Sequence, residues 1–111
     1  EIDGLMSPDK EGFVFEAHPE TTIAAITGKP AVHAKKTREG RAERLALLTG
    51  HGLPESLFHP HPYPRKAAAP DDLIDAGLCL LTALRIAEGA AVSLPADPPR
   101  DSKGLRMAIF A

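Results

Sequence analysis

Tryptophan is missing from this 111-residue chain, tyrosine occurs once, at Tyr63, and phenylalanine four times. So few rings leave little surface on which splayed bases could stack, which argues against a single-strand-binding platform. Cysteine occurs once, at Cys79, so no disulfide forms within the chain. Its place in an apolar helical pattern reads as a packed thiol, and a reducing, cytoplasmic compartment fits best. Neither sign of charge dominates: 13 Lys and Arg against 15 Asp and Glu leave a formal charge of −2. Contact with nucleic acid would therefore rest on a local patch and not on a bulk basic field. No apolar run approaches the roughly 20 residues of a membrane helix. The opening, EIDGLMSPDKEG, is polar and turn-rich, unlike a secretory leader. It begins on Glu1 and not on methionine, which suggests a start partway through a longer gene product.

Proline, by contrast, is plentiful, and five of the eleven fall between residues 53 and 70. Missing amides and fixed φ angles rule out a regular element in HPHPYPRKAAAP, which reads as a surface excursion. SLPADPPRDSKG reads as a second proline-rich loop. Between these breaks the periodicities are clear. Ile2, Leu5 and Met6 suggest the end of a helix, and SPDKEG a turn. Phe13, Val14 and Phe15 predict a short buried strand over 12–16. In HPETTIAAITG, Pro19 suits a first helical turn, Glu20 the positive end of the dipole, and Gly28 a stop. Thr37 is placed to cap an amphipathic helix from Arg38 to about Thr49. From Asp71 to about Ala91 runs the strongest helix, apolar around most of its girth and so in need of burial on more than one side. LRMAIFA alternates like a terminal strand, Leu105, Met107 and Ile109 on one face. The class is α/β with three or four helices and few strands. Two strands make no stable sheet beside such a helix, so upstream residues or another copy of the chain must complete it.

Two groups of carboxylates stand out. Glu16 lies at the mouth of the predicted strand, two residues before His18 and four before Glu20. In PDDLIDAG, Asp72 and Asp75 are three apart and Asp71 and Asp75 four apart, so each pair shares a helix face. Aspartates in a first turn complement the dipole, and Asp71 can cap the helix. Asp75 fits that explanation least, because its stripe continues as Leu78, Cys79 and Thr82, where a carboxylate has to be paired or to hold a cation. A strand-end glutamate with helix-borne aspartates is a suitable ligand set for Mg²⁺ or Mn²⁺. Two such ions about 4 Å apart would serve phosphodiester cleavage.

FEAHPETTIAAITGKPAVHAKKTREGRAERLALL, DDLIDAGLCLLTALRIAEGAA and DSKGLRMAIF resemble the second half of a family of predicted RNase H-like nucleases, a domain of unknown function. The resemblance starts near residue 2 and spans nearly the whole chain. Its strings are E-x-H-P-E, K-K-T-x-E-G-R-x-x-R and D-D-x-x-D-A, which are specific in combination. It implies that residues 1–111 are the C-terminal part of one RNase H-like domain, of the superfamily that includes the Holliday-junction resolvases. By the same resemblance, Glu16 is the later-strand carboxylate of a metal site, Asp75 the late-helix one and Asp72 a helper. Lys35 and Lys36 would face a scissile phosphate or be ordinary loop charges. His18 would be a substrate-side group or a packed turn histidine. Arg44 would pair with a carboxylate or meet a phosphate backbone. The family's first-strand aspartate has no counterpart here, so the implied two-metal nuclease would be inactive as this piece alone. The competing reading is an inactive module of the same fold that binds a protein partner or nucleic acid. No membrane association is expected.

Overall fold

The longest helix organises the molecule. The computed structural model describes residues 2–111, with side chains from residue 4 onward. Among the described residues there are four α-helices: α1 (Ile2–Leu5), α2 (Pro19–Thr27), α3 (Arg38–Gly50) and α4 (Pro70–Ala87). Two short strands follow, β1 (Ser93–Leu94) and β2 (Ile109–Phe110), paired antiparallel with Ser93 opposite Phe110 and Leu94 opposite Ile109. None of the described helices is long and apolar enough to cross a membrane.

Both ends of α2 and the start of α3 are where their residues predict them. Pro19 opens α2, its lost amide being one the first turn leaves unpaired anyway. Gly28 closes it at φ 78°, a left-handed conformation that favours glycine. The Thr37 hydroxyl accepts the Gly40 amide at 3.0 Å and caps α3. At the start of α4 it is Asp72, and not Asp71, whose carboxylate reaches back, accepting the Ala69 amide at 2.9 Å. The far end of α4 stops at Ala87, short of the expected Ala91, because Gly89 turns left-handed and the Ala90 and Ala91 amides both fold back onto the Arg85 carbonyl.

α4 packs against both α2 and α3. Ile23 of α2, Leu48 of α3 and Ile74, Leu78 and Leu81 of α4 form the core with Leu53. Leu48 and Leu78 are completely buried, each worth about 1.5–3 kcal/mol of transfer free energy. Gly77 lets this packing close: a Cβ there would stand 2.9 Å from the Phe58 ring and 3.1 Å from Leu48. Among the core leucines one polar contact crosses from α2 to α4, where the buried Thr22 and Thr82 hydroxyls meet at 2.7 Å. The outer face of α4 is uncovered at Leu80 and Leu84, so its burial is one-sided. The proline-rich stretch after α3 does more than skirt the surface. It makes a turn of 3-10 helix at Glu55–Leu57 and lays Phe58 against the core, with the His61 ring bonded to the Ala68 carbonyl at 2.7 Å.

Neither expected strand forms over its predicted length. The strand predicted over 12–16 does not form: residues 11–13 turn and Phe13 is 83% exposed. The segment joins the sheet only at its end, where Ala17 bridges Phe110 in parallel and the Phe110 amide donates to the Glu16 carbonyl at 2.8 Å. A run of three apolar residues makes a buried strand only with cover on both faces. Here the main cover is Phe110, edge-on to Phe15 with ring centroids 5.0 Å apart. The terminal strand keeps only Ile109 and Phe110. Leu105 and Ala108 are buried while Met107 is 54% exposed, a spacing that period-two alternation does not give. Turn chemistry wins there, because the Asp101 carboxylate accepts the Lys103 and Leu105 amides at 2.8 and 2.9 Å. β1 occupies the first two residues of a stretch that reads as loop, its partner in the sheet lying far along the chain.

Candidate functional site

The loop between α2 and α3 has no ladder of its own, so its backbone groups need partners from elsewhere. Two neighbouring residues of α3 supply them. The Glu43 carboxylate accepts the Val32 amide at 2.8 Å and the His33 amide at 2.9 Å. The Arg44 guanidinium donates from Nη1 to the His33 carbonyl at 3.0 Å and the Gly40 carbonyl at 2.8 Å. Its other two nitrogens form a fork on Glu20, Nη2 to Oε2 at 2.9 Å and Nε to Oε1 at 3.2 Å. Arg44 is 3% exposed, so this is a buried, fully hydrogen-bonded cation that ties the loop and the start of α3 to the first turn of α2. Gly40 completes the fit: a Cβ there would lie 1.9 Å from the Ala34 carbonyl oxygen.

Held this way, the loop carries Lys35 over to α4, where its ammonium stands 3.1 Å from Asp75 Oδ2. The two side chains are 43% and 28% exposed, a half-buried pair at the molecular surface. Lys35 is held above its ordinary pKa by the Asp75 hydrogen bond and charge, with the more distant charges of Asp71 and Glu20 adding to them. Asp71 pairs in turn with Arg41 at 2.9 Å. The basic segment from Lys35 to Arg44 thus lies along the acidic first turns of α2 and α4. The Glu43 carboxyl is held below its ordinary range by the Val32 and His33 amides. Next to Asp75 on α4, the Cys79 thiol is pushed up by its burial and by the Asp75 charge.

The structure therefore gathers Lys35 and Asp75, with Glu20, Asp71, Arg41 and Arg44 around them. Asp72 is on the same helix but exposed, one oxygen committed to the Ala69 amide. Glu16 is exposed at the entry to α2, its carbonyl in the sheet and its carboxylate unbonded among the described residues. His18 precedes α2 with its ring exposed and makes no cap bond. Lys36 is exposed beside Lys35. Among the described residues no three His, Cys, Asp or Glu side chains gather closely enough to hold a metal ion by themselves. Sequence reasoning missed Glu43, whose signal was its place directly before Arg44 at the loop-facing end of an amphipathic helix.

A second feature lies at the strand end, a groove of about 650 Å³. Val14, Phe15, Leu94, Met107 and Phe110 make it apolar, while Glu11, Glu16, Asp101 and Arg106 are its charged lining, so Glu16 faces this groove. Glu11 accepts the Arg106 amide and is flanked by the Arg100 and Arg106 guanidinium groups, each 3.3 Å away, so its carboxyl is held below the ordinary range. The Arg106 guanidinium lies 5.4 Å over the Phe110 ring.

A family model described as a protein of unknown function (DUF429) matches residues 1–100. Neither the search of curated proteins nor that of solved structures finds a match.

Proposed function

Because this chain belongs to the DUF429 family of proteins of unknown function, its site has to speak for its activity, and we propose that it contributes to a metal-dependent nuclease. In this reading residues 1–111 are the C-terminal part of an RNase H-like domain. Glu16, Asp72 and Asp75 are the metal ligands, and Lys35, Lys36 and His18 lie toward the phosphates of a nucleic acid. The observation that carries the reading is the Lys35 and Asp75 pair. A carboxylate on an apolar helix stripe, 28% exposed, is balanced by one flexible ammonium that is itself 43% exposed. Such a pair is weakly held, so Asp75 can exchange that partner for another cation.

The donors fit a hard divalent ion. Glu16 has its carboxylate unengaged, Asp72 spends one oxygen on a backbone amide, and all the candidate atoms are oxygens. Mg²⁺ usually takes one or two carboxylates and fills its octahedron with water and substrate phosphate, so a three-residue nest is not needed for it to bind. A pair of such ions, when bound, activates water and stabilises the leaving oxygen. The chain's own work is to place Asp75 on α4 and Glu16 at the head of α2, and to bring Lys35 and Lys36 to where phosphate charge would lie. A further carboxylate and the remaining strands would come from upstream residues or another copy of the chain, so residues 1–111 alone are expected to be inactive.

The test is cleavage of DNA and RNA by the complete gene product with Mg²⁺ or Mn²⁺. Activity that chelation abolishes and that falls at least 100-fold in Asp75→Asn and Glu16→Gln would support the reading. Cleavage that survives chelation, or is untouched by both substitutions, would sink it. One observation favours the alternative, a non-catalytic module that binds a protein partner: Val14, Leu94 and Met107 stand exposed along the apolar groove. Under that alternative Asp75→Asn leaves Mn²⁺ affinity unchanged.

A further inference from the structure

Glu43 and Arg44 are adjacent, yet they serve opposite groups of the same peptide segment. The carboxylate takes the Val32 and His33 amides and the guanidinium takes the His33 carbonyl. His33 is thus gripped on both its N–H and its C=O two residues before Lys35. On the other side of Lys35 the chain is fixed again, the Thr37 amide and hydroxyl both donating to the Ala34 carbonyl at 3.0 and 2.7 Å. That same carbonyl abuts Gly40. Lys35 therefore leaves a backbone that is clamped before and after it, and Arg44 is anchored through Glu20 to the helix that follows Glu16 and His18.

We infer that Glu43 and Arg44 are positioning residues, which set the 32–37 loop so that the Lys35 ammonium meets Asp75. This rests on the reading of Lys35 and Asp75 as the phosphate- and metal-facing pair, which it deepens by naming what holds the pair in register. Neither residue touches Asp75. Their effect passes through the His33 peptide groups, and a lysine at position 44 would keep the charge but lose the planar fork that reaches Glu20 and two carbonyls at once. A glutamine at position 43 can accept one amide but not both with equal strength, since its nitrogen end is a donor.

The deciding measurement is the contact itself, read by NMR as nuclear Overhauser effects from the Lys35 ε-methylene protons to the Asp75 β-methylene protons in labelled full chain. The wild type, Arg44→Lys and Glu43→Gln would be compared, with circular dichroism reporting that each is folded. The contact is expected in the wild type, where the ammonium stands 3.1 Å from the carboxylate, and is expected to be lost in folded Arg44→Lys and Glu43→Gln. A contact that persists at wild-type strength in a folded Arg44→Lys or Glu43→Gln overturns the inference, because a residue that only stabilised the core would alter melting and leave Lys35 in place. If Arg44→Lys does not fold, Glu43→Gln decides, since it leaves the Arg44 and Glu20 fork intact. A wild type that shows no such contact overturns it too. The readout needs no catalysis, so failure to cleave nucleic acid would remove the nuclease reading and leave this result standing.

Discussion

Between Pro19 and Ala87 the chain settles most of its polar and apolar demands internally, with Nδ1 of His61 and Nε of Arg85 its buried polar atoms lacking a partner among the described residues, and between Val92 and Ala111 it settles fewer of them. In the helical region Leu48, Leu78, Thr22 and Thr82 are essentially buried, the one hydroxyl contact across α2 and α4 is paired, and Arg44 has a partner on every nitrogen. At the strand end the sheet is two residues long on each side, Met107 and Leu94 face out, and a charged rim of Glu11, Arg100 and Arg106 ties the N-terminal segment to the turn at Asp101. A helix satisfies its own backbone, so three of them need only side-chain faces to make a core. A strand needs a neighbour for every amide and carbonyl, and short pairs supply few. The difference teaches that the stability of this chain is concentrated in the part that presents Lys35 and Asp75.

Substitutions should break the two regions unequally. Leu48→Ala is expected to cost about 2–5 kcal/mol, the range for emptying a fully buried leucine site, read as a drop in the urea midpoint at unchanged slope. Next comes the hydroxyl pair. Thr22→Val alone should cost about 1–3 kcal/mol by stranding the Thr82 hydroxyl, and Thr82→Val less, because the Thr22 hydroxyl keeps the His18 carbonyl at 3.3 Å, whereas the double substitution should cost less than the two singles together. A double variant no better than the sum of the singles would refute the pairing.

Acid should act in both regions but through different contacts. Glu11 and Glu43 both have carboxyl groups held below the ordinary range, Glu11 first by the Arg106 amide and Glu43 first by the Val32 amide. Their stabilisation is complete above the ordinary glutamate value, roughly pH 4.3, and is lost as pH falls through the lower folded values. Protection of the Arg106 amide from exchange, relative to its intrinsic rate at each pH, is therefore expected to fall below that pH in the wild type and to be already low at pH 7 in Glu11→Gln, while the Val32 amide is unaffected by that substitution. At the small end, Phe13→Ser should change stability by less than about 0.5 kcal/mol, because a ring 83% exposed loses little on truncation. A larger loss would mean that the strand end is covered in solution.

Why one region was readable and the other was not follows from the range of the signals. Pro19, Gly28 and Thr37 act on groups within four residues, so α2 and α3 are legible from local chemistry. The same locality made the Asp75 argument work: a carboxylate in an apolar stripe demanded a cation, and the structure supplies Lys35, forty residues away in the chain. Which cation it would be was not legible, because the path of the 28–37 loop depends on Glu43 and Arg44. Phe13, Val14 and Phe15 show the opposite case. Their composition favours a strand, but strand formation is decided by what lies alongside, and Phe110 reaches only the end of that run. The role of Asp72 was half visible: acid at a helix start was expected, but that it and not Asp71 would take the Ala69 amide depended on Arg41 drawing Asp71 away.

The contact between Gly40 and the Ala34 carbonyl also bears on how this stretch can vary in length. Surface loops ordinarily accept an added residue at little cost. Here one residue inserted between Ala34 and Gly40 would lengthen the path by up to about 3.5 Å, comparable with the whole 3.1 Å separation of Lys35 from Asp75. The loop is a ruler and not a spacer. Chains that keep the lysine and aspartate partnership are expected to keep its residue count as well, even where the residues themselves differ.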